Sequence, residues 1–173
     1  MKGIYEDFPE IYHGIAFFSS KSSPQTLQRI MFSLFYKINR GDEVVEMPMP
    51  EGRDIRLMPE IGVADALTFN FIDEEEKRRW LEILKKRIFE TLDFIWIARY
   101  YVSENGKNRP LKFDYYMLRF IFKPEGLELR VHHEKGARRL HIEDLIKIIV
   151  EKLNQELKRE GDEPLNIKSL GAF

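Results

Sequence analysis

The sequence predicts an α+β fold, in which one domain spanning residues 1–173 has a mostly antiparallel sheet and three amphipathic helices packed mainly on one face. Groups of short β-like segments separate three stretches of helical periodicity. A strong hairpin signal lies between two of those segments. The length of 173 residues suits one domain, and no linker or internal repeat divides it. The expected order is roughly β-α-β-β-β-α-β-β-β-α, followed by a tail.

The first helix is predicted over residues 24–40. Ser23 can cap its start, and Pro24 suits the first helical position because its missing N–H has no helical partner there. Gly41 can end it in a left-handed conformation. Its apolar stripe consists of Leu27, Ile30, Met31, Leu34, Phe35 and Ile38. The preceding run, Ile11–Ser19, is predicted to be a strand.

Residues 42–72 contain three further β-like stretches. Val44–Met47 and Asp54–Met58 are short, and Pro48–Gly52 between them is predicted to be a turn or an exposed loop, because proline cannot continue a strand ladder. Ala66–Ile72 has the apolar character of a buried strand.

The second helix is predicted to begin after Asp73, a good capping residue that is followed by three glutamates suited to the positive end of the helix dipole. Its inward stripe is Trp80, Leu81, Leu84 and Ile88. No glycine or proline marks its end, which we place near Leu92. Phe94–Val102 is aromatic and β-branched, which favours a strand. One long helix to about residue 102 is the competing interpretation.

Two turn signals organise the following segment into an antiparallel meander. Asn105-Gly106 is typical of a two-residue hairpin, and a second turn lies at Lys123–Gly126. They separate predicted strands at Phe94–Val102, Leu111–Phe122 and Leu127–Glu134.

The third helix is predicted over His141–Glu160. Acidic residues occupy its first turn and basic residues its last, as the helix dipole favours, and Gly161 follows. Its inward residues are Ile142, Leu145, Ile146, Ile149, Val150, Leu153 and Leu157. The tail, Leu165–Phe173, can add an edge strand.

Composition limits the classes of function. The net charge of −1 provides no general attraction for polyanions, so a nucleic-acid site would need a local basic patch. Without cysteine there can be no disulfide, thiolate metal site or thiol nucleophile. The start of the chain has no secretory signal, and its densest apolar run, Phe94–Ala98, is too short to span a membrane. We therefore expect a cytoplasmic protein. The abundance of Glu, Lys and Arg is typical of thermophiles.

Motifs for common enzymes are missing. The sequence has no Gly-x-Gly, and Gly106-Lys107 lacks the other residues of a phosphate-binding loop. It also has no Gly-x-Ser-x-Gly nucleophile elbow. We predict no cofactor, and whether the protein is an enzyme stays open, with a non-catalytic role favoured.

Three of the four histidines cluster between residues 132 and 141. His132 and His133 are neighbours on a predicted strand and should point to opposite faces. His141-Ile142-Glu143 matches half of a zinc-deaminase signature whose other half requires cysteine. We assign no metal ligands, and a metal-dependent hydrolase around His132–His141 is a second alternative function.

Asp114 interrupts an otherwise apolar strand. A buried carboxylate must be paired or must shift its pKa. Arg99 and Lys112 are its expected neighbours, in a structural ion pair.

Strand alternation sorts the meander into two faces. The expected core face holds Tyr116, Leu118, Phe120, Phe122, Leu127, Leu129, Val131 and His133. The opposite face then collects Phe94, Trp96, Tyr115, Met117, Arg119, Arg130, His132 and Glu134, beside the basic turn Lys135–Arg139. The candidate binding residues are Trp96, Tyr115, Arg119, Arg130, His132, Arg138 and Arg139.

Three interpretations compete for this second face. Other parts of the chain can cover it as ordinary core, since apolar runs on both faces are typical of central strands. It can be an interface with a second copy or another protein, where aromatic residues and arginine are enriched. It can also bind a single-stranded nucleic acid or nucleotide, with bases stacked on rings and phosphates on arginine. The favoured function is a non-catalytic interaction domain that forms a homodimer or binds a protein partner, with nucleic-acid binding as the first alternative.

Leu67–Phe71 together with Lys135–His141 is faintly similar to the pattern of archaeal and eukaryotic primases. That family has two metal-binding aspartates in its strand, where this chain has Asn70, and its basic segment has a serine and a second glycine that are missing here. The resemblance covers about a dozen residues, and no activity is carried over from it.

Overall fold

The structure is a computed structural model that describes residues 2–46 and 55–173. It has three helices and an eight-stranded antiparallel sheet, which confirms the α+β class. In chain order the elements are β1 Gly14–Ser19, α1 Pro24–Arg40, β2 Ile55–Asp65, β3 Thr68–Phe71, α2 Glu74–Leu84, β4 Thr91–Glu104, β5 Lys107–Pro110, β6 Asp114–Lys123, β7 Gly126–Lys135, α3 Ile142–Arg159 and β8 Asn166–Ala172. Within these residues, no helix is long and apolar enough to cross a bilayer.

The strands lie in the order β3-β2-β4-β6-β7-β1-β8, and β5 pairs only with β4. Every pairing between neighbouring strands is antiparallel. Helices pack against one face, which we call the helix side. The opposite face, the outer face, has no helix on it among the described residues and presents the candidate site.

The core lies between the sheet and the helices. Phe94 of β4 contacts Phe32 and Phe35 of α1 at ring-centroid distances of 5.5 Å and 4.9 Å. Trp80 of α2 stacks on Phe32 at 4.7 Å. These large rings are fully buried. Because aromatic side chains bury the most apolar area, this cluster binds α1, α2 and the central strands into one core.

The predicted bounds of α1 are confirmed, and its caps explain them. Ser23 Oγ accepts the N–H of Thr26 at 3.2 Å, and Gly41 has a φ of 89° that favours glycine. The buried amide of Gln28 donates to the carbonyl of Phe89 at 2.7 Å and accepts its N–H at 3.1 Å. These two hydrogen bonds hold the backbone of Phe89 in the connection between α2 and β4.

The second helix ends at Leu84, earlier than expected, and the alternative of one long helix to residue 102 is wrong. Residues 91–104 form β4 instead, paired with β2 on one edge and with β6 on the other. The strands on both sides satisfy the backbone N–H and C=O groups of this segment, and its apolar side chains on the helix side are buried. These gains favour a strand here, although the sequence has no glycine or proline to stop a helix.

The segment between α1 and α2 differs from the prediction. Residues 44–46 of the expected strand Val44–Met47 are not a strand, and Met47 lies outside the described residues, as does the expected loop Pro48–Gly52. The second stretch belongs to the longer strand β2, which tolerates Pro59 because part of β2 has a free edge in the described structure. The expected strand Ala66–Ile72 is shorter, as β3.

The Asn105-Gly106 turn forms as predicted, with left-handed φ values of 50° and 75°, but it closes a hairpin between β4 and the unpredicted β5. Continuing that hairpin from the Glu104–Lys107 pair would place Trp96 opposite Tyr115. Trp96 instead pairs with Tyr116, because residues 111–113 leave the ladder and shift the register by one. A shift of one residue exchanges the faces of a strand.

Phe94 and Trp96 therefore lie on the helix side, and both are fully buried. The prediction that they share a face with Tyr115 and Arg119 is wrong. The alternation within β6 and β7 holds, since Met117 pairs with His132 and Arg119 with Arg130.

Candidate functional site

The outer face presents alternate residues of three central strands. Its members include Ile95, Ile97, Arg99, Tyr101, Tyr115, Met117, Arg119, Arg130 and His132, as the register of β4, β6 and β7 requires. The face thus unites Tyr115, Arg119, Arg130 and His132 from the predicted set, without Trp96.

Residues 3–13, which we call the strap, cross this face transversely to the strands. The N–H of Asp93 in β4 donates to the carbonyl of Gly3 at 2.7 Å, and the N–H of Tyr5 donates to Asp93 Oδ2 at 2.8 Å. The Tyr5 ring stacks on Phe69 of β3 at 4.7 Å, and Tyr5 forms a parallel bridge with Ala66. One end of the strap is therefore fastened to β3 and β4.

Arg119 lies under the middle of the strap. Its guanidinium donates two hydrogen bonds of 2.8 Å to the Asp93 carboxylate. The central carbon of the guanidinium lies 4.3 Å from the centre of the Phe8 ring. Burial raises the pKa of Asp93, although Arg119 and the N–H of Tyr5 oppose that effect. A fully buried carboxylate makes this pair part of the scaffold, because removing either partner would leave an uncompensated charge.

Arg130 is held in a similar way under the far end of the strap. Its Nε lies 2.5 Å from a carboxylate oxygen of the buried Glu128. Its Nη1 donates to the Tyr12 hydroxyl at 3.0 Å, and its guanidinium lies 5.0 Å from the centre of the Tyr12 ring. Arg119 and Arg130 thus each have an internal carboxylate and a strap ring as partners.

His132 and His133 point to opposite faces, as predicted. His132 Nδ1 lies 2.6 Å from the carbonyl of Ile11, and its Nε2 lies 3.0 Å from Glu134. His133 lies on the helix side, with Nε2 2.9 Å from Asp114. Among residues 2–46 and 55–173, no group of three or more potential ligands is arranged to hold a metal ion.

Asp114 is fully buried and accepts four hydrogen bonds. Oδ1 receives His133 Nε2 at 2.9 Å and the N–H of Arg138 at 2.8 Å. Oδ2 receives the Tyr100 hydroxyl at 2.6 Å and the N–H of Arg139 at 2.8 Å. The expected ion pair with Arg99 or Lys112 is wrong, because the register places Asp114 beside the helix-side residue Tyr100.

These bonds decide the protonation of the network. Burial is the largest influence on the pKa of Asp114 and raises it, but the four hydrogen bonds outweigh burial and hold the pKa below its usual value. Burial and the nearby carboxylate raise the pKa of Tyr100. The Asp114 carboxylate is thus an anion fixed by four donors, and it anchors the basic turn onto the start of β6.

The two arginines of that basic turn are also engaged. Arg138 Nη1 donates to the backbone oxygen of Phe173 at 2.8 Å, next to β8. The Arg139 guanidinium lies 5.7 Å from the centre of the Tyr100 ring. Arg138 and Arg139 therefore do not join the outer-face arginines in one open basic surface.

Beyond the strap, a part of the outer face remains accessible, which we call the open patch. It consists of Met58 of β2, Ile97, Arg99 and Tyr101 of β4, Phe113 just before β6, and Tyr115 of β6. Met58 is 57% exposed, and the other five are half-buried. Of this set, only Tyr115 was among the candidate binding residues predicted from the sequence. The alternation of residues 97, 99 and 101 with the buried Ala98 and Tyr100 is the signal that points to the others in β4.

Arg99 organises the open patch. Its Nε lies 2.8 Å from Glu60 of β2, and its guanidinium lies 4.4 Å from the centre of the Phe113 ring. Protein interfaces are enriched in aromatic, methionine and arginine side chains, and this surface presents all three.

Comparison of the chain with known protein families, with curated proteins and with solved structures finds no match. The function therefore has to be inferred from the geometry of the outer face.

Proposed function

We propose that this protein is a non-catalytic interaction domain that self-associates through the open patch. One observation carries this proposal. On the outer face, where no helix packs among the described residues, accessible side chains surround Arg99: Ile97, Tyr101, Tyr115 and Met58. Burying such a surface against a second copy would remove apolar area from water, which is the main favourable term in protein association.

The charges of the open patch suit a second copy as the occupant. Arg99 contacts Glu60, and the exposed Arg56 lies opposite Tyr101 on the same face, so this surface carries both signs. A two-fold axis brings identical patches together, and a patch with both signs can place its cations against the acids of its partner. The net charge of −1 adds little repulsion between copies.

The outer face gives less support to single-stranded nucleic acid as the ligand. Such a site needs cations that are free to meet phosphates. Arg119 and Arg130 instead neutralise Asp93 and Glu128, and rings of the strap cover both guanidinium groups. A labelled oligonucleotide at low salt tests this alternative, which would require salt-sensitive binding that Arg130→Ala weakens.

Sedimentation velocity up to tens of micromolar tests self-association. We expect the native protein to form a dimer and Ile97→Lys to shift it to a monomer, because the new charge would be desolvated at the centre of the interface. The matched control is Ile88→Lys, which places the same charge at a residue 52% exposed outside the open patch and should leave the dimer intact.

Both variants are first checked for native circular dichroism and cooperative melting. A native protein that stays monomeric at these concentrations would refute the proposal. A dimer that Ile97→Lys leaves unchanged would place the interface elsewhere and refute the assignment of the open patch.

A further inference from the structure

Two histidine rings meet where the strap joins β1. The centres of the His13 and His132 rings are 4.9 Å apart, and the His133 ring is 6.4 Å from His13. His13 is the last residue of the strap, while His132 and His133 belong to β7. The His13 and His132 rings make different hydrogen bonds.

His13 is an acceptor in this structure. The backbone N–H of His133 donates to His13 Nδ1 at 2.9 Å, which requires a lone pair on that nitrogen. A second proton on the ring would occupy Nδ1 and point at the same N–H. Protonation of His13 therefore breaks this hydrogen bond.

Both ring nitrogens of His132 face oxygen atoms. Nδ1 lies 2.6 Å from the carbonyl oxygen of Ile11, and Nε2 lies 3.0 Å from the carboxylate of Glu134. The first contact ties the strap to β7, and the second holds the ring in place beside His13.

The charged and titratable groups that act on His13 are His132 and His133 of β7 and Arg138 of the basic turn, and each disfavours a further positive charge. The acids Glu134 and Asp114 contact His132 and His133 instead. Burial, followed by Arg138 and the two histidines, holds the pKa of His13 below its ordinary value.

The backbone at this junction ties three parts of the chain together. The N–H of His13 donates to the carbonyl of Val131 at 2.8 Å, and the N–H of Phe173 donates to the carbonyl of His13 at 2.7 Å. The Ile11 carbonyl is held by His132. Displacing His13 therefore loosens the end of the strap, its attachment to β7 and the end of the chain beyond β8.

We propose that His13 and His132 form a proton-operated latch that fastens the strap to the outer face near neutral pH and releases it in mild acid. Release would uncover Arg130 and His132, which Tyr12 and Ile11 now cover. The inference does not depend on self-association, because it concerns only contacts within one chain.

The direction of the pH dependence follows from linkage. In the released state His13 takes up a proton at its ordinary pKa of about 6.5, whereas in the latched state its pKa is lower. Acid therefore favours release, by up to about tenfold in the opening equilibrium for each pH unit between these two values. Below the lower value the effect levels off.

Amide hydrogen exchange from pH 7.5 to 4.5, expressed as protection factors, measures this opening directly. We expect the protection of the Phe173 and His133 amides to fall below a pH of about 6.5, by up to about tenfold per pH unit, until the lower pKa of the latched state is reached. The critical variant is His13→Asn, whose side-chain oxygen can accept the His133 N–H and does not titrate in this range. The matched control is His141→Asn, which removes an exposed histidine at the start of α3.

Native protein and His141→Asn should show the acid loss of protection, while His13→Asn should keep protection to the lower limit of the series. Unchanged protection of Phe173 and His133 in the native protein across this range would overturn the latch. An equal pH profile in native protein and His13→Asn would overturn the role of His13. Protection at a core amide such as that of Leu118 reports whether any variant has lost its fold.

Discussion

Replacing Asp114 by asparagine is the sharpest test of how the basic turn and α3 are anchored to the sheet. The two side chains have nearly the same shape, so the variant changes hydrogen bonding and charge without opening a cavity. In the native protein each carboxylate oxygen accepts one backbone N–H and one side-chain donor.

The arrangement of donors sets the expected cost. Whichever way the new amide is oriented, its NH₂ group faces one backbone N–H, of Arg138 or Arg139, and one side-chain donor, His133 or Tyr100. An unpaired buried donor costs about 1–3 kcal/mol, so two of them predict a loss of about 4 kcal/mol in the free energy of unfolding. For a chain of this length that corresponds to a fall in Tm of about 8–16 °C.

Urea denaturation followed by circular dichroism, with a parallel thermal melt, measures this loss. The control is Asp7→Asn, which makes the same substitution at an exposed residue of the strap and should leave stability unchanged within error. A loss below about 1 kcal/mol for Asp114→Asn would refute the four-bond account, because no orientation of the amide can satisfy all four donors.

The remaining predictions concern the same core. Gln28→Leu leaves the N–H and carbonyl of Phe89 without their amide partner and should cost about 2–4 kcal/mol by urea denaturation. Gly136→Ala should cost about 2 kcal/mol or more in the same assay, because its φ is 112° and the new Cβ would lie 2.2 Å from Asp114 Oδ1. The lowered pKa of Asp114 predicts that stability falls with pH below about 4, the unfolded value, and an equal acid slope in Asp114→Asn would contradict this.

The elements that were predicted accurately carry their own local signals. For α1, Ser23, Pro24 and Gly41 mark both ends, and the structure has the helix between them. For α3, the acidic first turn and basic last turn place its ends within a residue or two of the expected bounds. Caps and dipole charges act within a few residues, so a single sequence displays them.

The features that were missed depend on distant contacts. The strap has no helical or strand periodicity of its own, and residues far along the chain, such as Asp93 and Arg130, hold it in place. Beyond the end of α2, Gln28 holds the backbone of Phe89 from 61 positions away. Such contacts leave no local pattern, so alternation and turn signals alone could not reveal them.

Two separate errors about the candidate site have one cause. Alternation was counted from the Asn105-Gly106 hairpin as though its ladder continued unbroken into β6, and residues 111–113 shift that ladder by one. The shift moves Trp96 to the helix side and moves Arg99 to the outer face, away from Asp114, which meets Tyr100 instead. The same shift assembles the open patch, because it places Ile97 opposite Tyr115 on the accessible face. If β6 and β7 kept their faces, an unbroken hairpin would turn Arg99 toward the helices and bury its charge, which disfavours that register.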